Sequence, residues 1–182
     1  MRTRLRPRYS EKELKEIYMT PHDHILWADH VQRVESTIAL STWFYPISTV
    51  ADLSCGNGYI VDSINAETKY KGDFASGYDY TGPIEETLKL IPAVDLFIFS
   101  ETIEHVDDPD ALLREIRKKT KHLILTTPKD ENDDSNPEHY WGWGKEDMKE
   151  MLISANFSPQ IYQELEFFDP QFSYTYQMWG CS

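Results

Sequence analysis

The sequence predicts an α/β fold: a doubly wound, mostly parallel sheet with helices on both faces and an antiparallel strand pair at its C-terminal end. Three observations predict it. From residue 48 onward, short apolar runs alternate with segments of helical period, the pattern of a parallel sheet with crossover helices. Two of those runs, "STVADLS" and "AVDLFIFS", are near-continuously apolar at their centres, as strands covered on both faces are. The stretch "PQIYQELEFFDPQFSYTYQMWG" reads as two strands joined at "DPQ" with no helix between them, hence an antiparallel pair.

The elements follow in order. The opening "MRTRLRPRYS" is an arm carrying Arg2, Arg4, Arg6 and Arg8, with no acid before Glu11. "SEKELKEIYM" is a short helix capped by Ser10, with Glu13 completing a capping box. "TPHDHILWADHVQRVESTIALSTWF" starts a longer helix: Thr20 caps it, Pro21 suits its first position, and Ile25, Trp27, Val31, Val34 and Ile38 form an apolar stripe. The strand "STVADLS" leads through "CGNG" into the helix "YIVDSINA". "KYKGDF" and "GYDYT" are short strands separated only by "ASG", and "IEETLKLI" is a small helix. After "AVDLFIFS" comes the amphipathic helix "DPDALLREIRKKT", capped by Asp107 or Asp108, and then the strand "KHLILTTP". The polar loop "KDENDDSNPEHYWGWG" precedes the helix "KEDMKEMLISANF".

A chain of 182 residues, 40% hydrophobic and 13% aromatic, suits one domain with one sizeable core. No apolar run approaches the roughly 20 residues of a membrane span. No apolar segment follows the N-terminal arginines, so a secretory signal is not expected. Cys55 and Cys181 give no disulfide framework, and a cytoplasmic location is the expectation. The net charge of −13 argues against a broad grip on a polyanion. The arm holds four of the 18 basic residues, which leaves 14 basic against 31 acidic residues on the body. Such an arm meets either a phosphate chain or the body's own acids; a frayed, solvated terminus is the plainer expectation.

"ADLSCGNG" has the form of a nucleotide-binding turn, in which Gly56 and Gly58 let backbone approach a ligand closely. Asp52, placed before the glycines, would repel a pyrophosphate and suits a cationic amino-acid group, which favours a sulfonium nucleoside. "VADLSCGNG", "DLFIFSETIEHVDDPDALLREIRK" and "KHLILTTP" together resemble the first, fourth and fifth strand motifs of class I S-adenosylmethionine-dependent methyltransferases, over roughly Val50 to Phe157. The resemblance implies a Rossmann-like fold of methyltransferase type, with residues 46–182 as one compact S-adenosylmethionine-binding unit and residues 1–45 as the basic arm and a helical lid. It implies that Asp52, Ser54, Gly56 and Gly58 line the methionine end of the cofactor. Asp73 would bind the ribose hydroxyls and Ser100 would flank the sulfonium. Three departures stand out: Ser54 replaces the first glycine of the turn, "ASG" replaces a helix, and Pro83 stands where an acid often meets the adenine amine, leaving Glu85 for that contact.

The strand "DLFIF" runs directly into "SETIEHV", and ionisable groups at a buried strand's end carry a desolvation cost. Three readings of Glu101, Glu104 and His105 stand side by side. In the first they turn the chain and line the pocket. In the second His105 is a general base near the acceptor, with Glu101 beside it as a catalytic candidate. In the third Glu101, Glu104 and His105, joined by His139, hold Mg²⁺, Mn²⁺ or Fe²⁺. The third set resembles that of the small-RNA 3′-terminal 2′-O-methyltransferases, and E-x-x-E-H resembles the metal motif of ubiquinone-pathway O-methyltransferases. Both imply a metal that binds vicinal oxygens and activates one of them. His24, Trp27 and Trp141 are substrate candidates, the first two on the lid and the third from its stacking chemistry. The expected acceptor is a small-molecule or sugar-like hydroxyl ahead of an RNA 3′ end. A methyltransferase-fold subunit without turnover is the remaining alternative.

Overall fold

The computed structural model describes residues 2–19, 28–130, 136–169 and 172–182. In chain order the elements are β1 (Thr3–Arg4), α1 (Glu11–Ile17), α2 (Ala28–Ser41), β2 (Thr49–Asp52), α3 (Tyr59–Ser63), β3 (Thr68–Asp73), β4 (Tyr80–Thr81), α4 (Ile84–Leu90), β5 (Val94–Ser100), α5 (Pro109–Lys119), β6 (Thr120–Pro128), β7 (Trp141–Gly142), α6 (Lys145–Ser154), β8 (Pro159–Asp169) and β9 (Phe172–Cys181). The main sheet has seven strands in the order β4-β3-β2-β5-β6-β9-β8. Its first five strands are parallel, while β9 pairs antiparallel with both β6 and β8. The doubly wound sheet and its antiparallel edge are therefore as the residue pattern predicts.

β5 shows why the apolar runs are continuous. Leu96 and Ile98 face a core with Leu40, Phe44, Val61 and Ile64 from the α2 and α3 side. Phe97 and Phe99 face the opposite core with Leu88, Leu113, Ile116 and Leu152 from α4, α5 and α6. Successive strand residues point to opposite faces, so two covered faces demand apolar residues at every position. Each such side chain contributes roughly 1.5–3 kcal/mol by leaving water.

The caps follow their local chemistry. Ser10 accepts from the Glu13 amide while Glu13 Oε2 accepts from the Ser10 amide at 2.8 Å, the predicted box. Between the two candidates for α5, Asp108 is the cap, accepting from Ala111 N at 2.9 Å. No helix forms between β3 and β4, as "ASG" implied. The proposed start of the second helix at Thr20 and Pro21, with part of its stripe, lies outside the described residues.

The arm departs from the solvated expectation. Thr3 and Arg4 pair with Gly142 and Trp141 in an antiparallel ladder. Arg2 bridges Asp110 at 2.5 Å and Arg4 bridges Asp107 at 2.6 Å. Both guanidinium groups lie over the Trp141 ring, at 4.3 and 4.7 Å from its centroid. The excess acid of the body supplies the partners, and desolvated aromatic contact adds to what exposed ion pairs alone provide.

Candidate active site

The site is built where the chain reverses direction across the sheet. From β2 it moves outward to β3 and β4, then returns to β5 on the other side of β2. The loops after β2, β3, β5 and β6 thus meet beyond the carboxyl ends of the parallel strands, where such sheets bind ligands. They enclose a cavity of about 630 Å³, which α1 and α2 flank through Tyr18, Asp29 and His30.

One end of the cavity is the glycine turn. Gly56 and Gly58 adopt φ of 54° and 80°, the left-handed region that glycine enters without a Cβ penalty. Ser54 is absent from the positive-φ residues, so serine is tolerated in place of glycine there. Asp73 Oδ2 accepts from Gly56 N at 2.8 Å and Oδ1 accepts from Ala75 N at 2.9 Å, which fixes the carboxylate at the cavity wall. Asp52 is 2% exposed; burial pushes its carboxyl up to about 7, against a lowering hydrogen bond from Ser54 N at 3.2 Å. A carboxyl held near neutrality by desolvation shifts toward its ionised form when a cation is placed nearby, and Asp52 lies directly behind Ser54 of the cavity wall.

The cavity wall includes Ser54, Asp73, Pro83, Glu85 and Glu101. Asp52, Gly56, Gly58 and Ser100 are not part of the wall, which the turn reaches through Ser54 and Asp73. Ser100 Oγ accepts from Arg33, and it shares a 2.8 Å hydrogen bond with Thr126. Arg33 is 1% exposed, reaches Ser100 and His30, and moderates the carboxyls of Asp52 and Glu101. It belongs to α2, where a lone arginine inside an amphipathic stripe carries no sequence signal of its depth.

The other end is the turn after β5. Glu101 takes φ of 49°, a left-handed conformation uncommon for a side chain longer than Asn or Asp and one that clusters at functional sites. A single helical turn over Ile103–His105 follows. Glu104 is 1% exposed; burial, then the neighbouring Glu101 charge, push its carboxyl up to about 8. Glu101 is raised as well, again chiefly by burial. Glu104 Oε2 accepts from Thr127 Oγ1 at 3.0 Å, and Thr127 in turn accepts from Trp143 Nε1 at 3.1 Å. Oε1 of Glu104 and Oε1 of Glu101 are buried with no hydrogen-bond partner among the described residues.

Ligand atoms of Glu104, His105 and His139 lie within 4.8 Å of one another. His105 Nδ1 donates to the Glu138 carbonyl at 2.9 Å, which leaves its Nε2 lone pair directed elsewhere, 3.7 Å from Glu104 Oε1. That backbone contact is the usual outer-shell orientation of a metal-binding imidazole. Tyr18 donates to Glu138 Oε2 at 2.8 Å behind it. A buried carboxylate oxygen without a donor, beside two imidazoles, fits a divalent cation. The fourth member of the predicted set, Glu101, lines the same cavity but is not in this group.

Trp141 does not line the cavity. It stacks on Trp143 and donates Nε1 to Val106 O at 2.9 Å beneath the arm arginines. His24 and Trp27 lie outside the described residues. Residues that line the cavity without having been predicted include Arg8, Tyr18, Asp29, His30 and Tyr176; Asp29 and His30 of α2 meet Tyr176 of β9, while Tyr18 meets His105 and Glu138.

No family model matches the chain, and no curated protein matches it either. Solved structures do. The N-methyltransferase NodS from Bradyrhizobium japonicum in complex with S-adenosyl-L-homocysteine aligns with a TM-score of 0.63 at 9% identity, over 85% of this chain and 88% of that one. The 1,6-didemethyltoxoflavin-N1-methyltransferase of Burkholderia thailandensis aligns at 0.62 and 12% identity, over 97% and 91%. The magnesium protoporphyrin IX methyltransferase of Synechocystis aligns at 0.60 and 14% identity, over 93% of each chain. The chain has the methyltransferase fold.

Proposed function

We propose that this protein transfers the methyl group of S-adenosylmethionine to a hydroxyl oxygen of a small acceptor, with a divalent metal held by Glu104, His105 and His139. All three of the similar folds named above carry S-adenosylhomocysteine by name, and the turn at Gly56 with the Asp73 carboxylate beside it supports the same cofactor here. The observation that carries the metal reading is the buried, donor-less Glu104 Oε1 within reach of two imidazoles.

Bound there, a divalent cation would lower the pKa of a coordinated hydroxyl, and S-adenosylmethionine would supply the methyl. The residues of the chain do the rest. Asp73, on the cavity wall, would hold the cofactor's ribose hydroxyls, and Asp52, buried beneath Ser54, would place negative charge under the turn that meets its amino end. His105 is oriented through Nδ1 by Glu138 O, and His139 and Glu104 complete the ligand set. Glu101 Oε1, buried and unpaired, receives the proton that the acceptor hydroxyl releases. Tyr18, Asp29 and Tyr176 line the same cavity and narrow the space left to water.

Arg2 and Arg4 are engaged by Asp110, Asp107 and Trp141, which takes two of the four arm arginines from a phosphate chain and favours the small acceptor over an RNA 3′ end. The test uses catechol as a vicinal diol, S-adenosylmethionine and Mn²⁺, with methyl ether and S-adenosylhomocysteine read by mass spectrometry. Product that vanishes with EDTA and in Glu104→Ala supports the proposal. Product that survives both removes the metal, and failure to bind S-adenosylhomocysteine removes methyl transfer itself, leaving the non-catalytic subunit.

A further inference from the structure

We propose that the acceptor carries an oxyanion, a phosphate or carboxylate, and that Arg8 binds it at the His139 end of the cavity. This deepens the methyl-transfer reading above and rests on it. Arg8 is the one arginine or lysine on the wall of the main cavity among the described residues. The same wall carries six carboxylates, Asp29, Asp73, Glu85, Glu101, Glu104 and Glu138. In a chain of net charge −13, an arginine so placed would be expected to pair with one of them. Arg2 and Arg4 of the same arm do pair. Arg8 is half-buried and forms no hydrogen bond or ion pair among the described residues.

Its position is set by neighbours that are themselves fixed. The Tyr9 amide donates to Tyr140 Oη at 3.2 Å, and Tyr140 directly follows His139. Arg8 is also one of the groups whose charge acts on the hydroxyl of Tyr140, the residue that follows His139, so the guanidinium lies on the part of the wall that carries His139. It also lines a second cavity of about 450 Å³, shared with Arg6, Tyr9 and Pro137. The cation therefore stands at the junction of two cavities, open to both. A guanidinium fork matches a planar or tetrahedral oxyanion with two parallel hydrogen bonds. A cavity of about 630 Å³ that also takes a nucleoside cofactor leaves room for a small acceptor only.

The experiment uses the full chain, stripped with EDTA, titrated with inorganic phosphate, with benzoate and with a short oligoribonucleotide, in the presence and absence of S-adenosylhomocysteine. Wild type is compared with Arg8→Gln and Arg8→Lys. The expected result is anion binding to wild type that weakens about tenfold or more in Arg8→Gln, the scale of a charge-assisted pair, and is partly restored in Arg8→Lys. Phosphate bound more tightly than benzoate identifies a phosphomonoester acceptor, and the reverse identifies a carboxylate. The proposal is overturned if neither anion binds wild type, or if both bind wild type and Arg8→Gln equally. An oligoribonucleotide bound at least a hundredfold tighter than phosphate, through Arg8, would overturn the small acceptor in favour of an RNA end. The S-adenosylhomocysteine titration reports separately on the methyl-transfer reading: unchanged binding in Arg8→Gln shows an intact fold, and absent binding in wild type sinks that reading whatever the anions do.

Discussion

Asp52, Glu101 and Glu104 share one physical predicament, ionisable groups held where water is scarce, and their carboxyls rise for that reason first. An acid whose pKa is raised on folding stabilises the fold below its unfolded pKa, and that contribution is lost as pH climbs through the folded value. For Asp52 the window runs from about 4 to about 7, and for Glu104 it ends at about 8. The stability of protein free of metal and cofactor should therefore fall from pH 5 to pH 8, by an amount on the order of 1–3 kcal/mol. Denaturant unfolding at several pH values checks this, and Asp52→Asn should flatten the lower part of the curve; stability that rises over the same range would contradict the assignment. Glu104→Gln should raise stability at pH 9 without metal by on the order of 1 kcal/mol, because it removes a buried charge. The same substitution should weaken Mn²⁺ binding by about tenfold or more, measured by calorimetry. Glu101, Glu104 and His105 are legible as a group because they interrupt an apolar strand's end. Arg33 and Tyr176 are not, since their residue types are ordinary for an amphipathic helix and a strand, and only packing buries them.

The elements divide along the same line. Caps and apolar periods act over three or four residues, so Ser10 with Glu13, Asp108, and the run through β5 can be read directly. The two-residue ladder of β1 with β7 cannot, because its partners are more than 130 residues apart. That ladder joins the two segments that carry the candidate ligands. Arg4 donates to Asp107 O at 3.0 Å, two residues past His105, while Trp141, two residues past His139, donates to Val106 O. Tyr140 N also donates to Glu104 O at 2.8 Å. The arm thus acts as a strap across both ligand segments. Replacing Arg2 and Arg4 together by Gln should lower Mn²⁺ affinity by about tenfold, the scale of an outer-shell loss, with S-adenosylhomocysteine affinity unchanged because the glycine turn lies elsewhere. Equal losses of both affinities would mean a general loosening instead.

At the scale of the whole molecule, the sheet order brings four loops to one edge, and ligand binding there should be visible as stability. S-adenosylhomocysteine at about 100 times its dissociation constant adds roughly 2.7 kcal/mol, a rise of about 5–10 °C in Tm for a domain of this size. A flat Tm at millimolar ligand would mean that Pro83 and the missing helix have disabled the cofactor pocket. By itself the sequence determined the alternation of strands and helices, the antiparallel end pair, the glycine turn and the acid–imidazole cluster after β5, because each depends on neighbours a few residues away. Tertiary structure alone decided that Glu104, His105 and His139 converge without Glu101, that Trp141 serves the arm rather than the cavity, and that Arg8 faces the site while Arg2 and Arg4 do not. Those outcomes depend on contacts between distant segments and on the depth each side chain finally reaches, quantities that no local pattern of residues encodes.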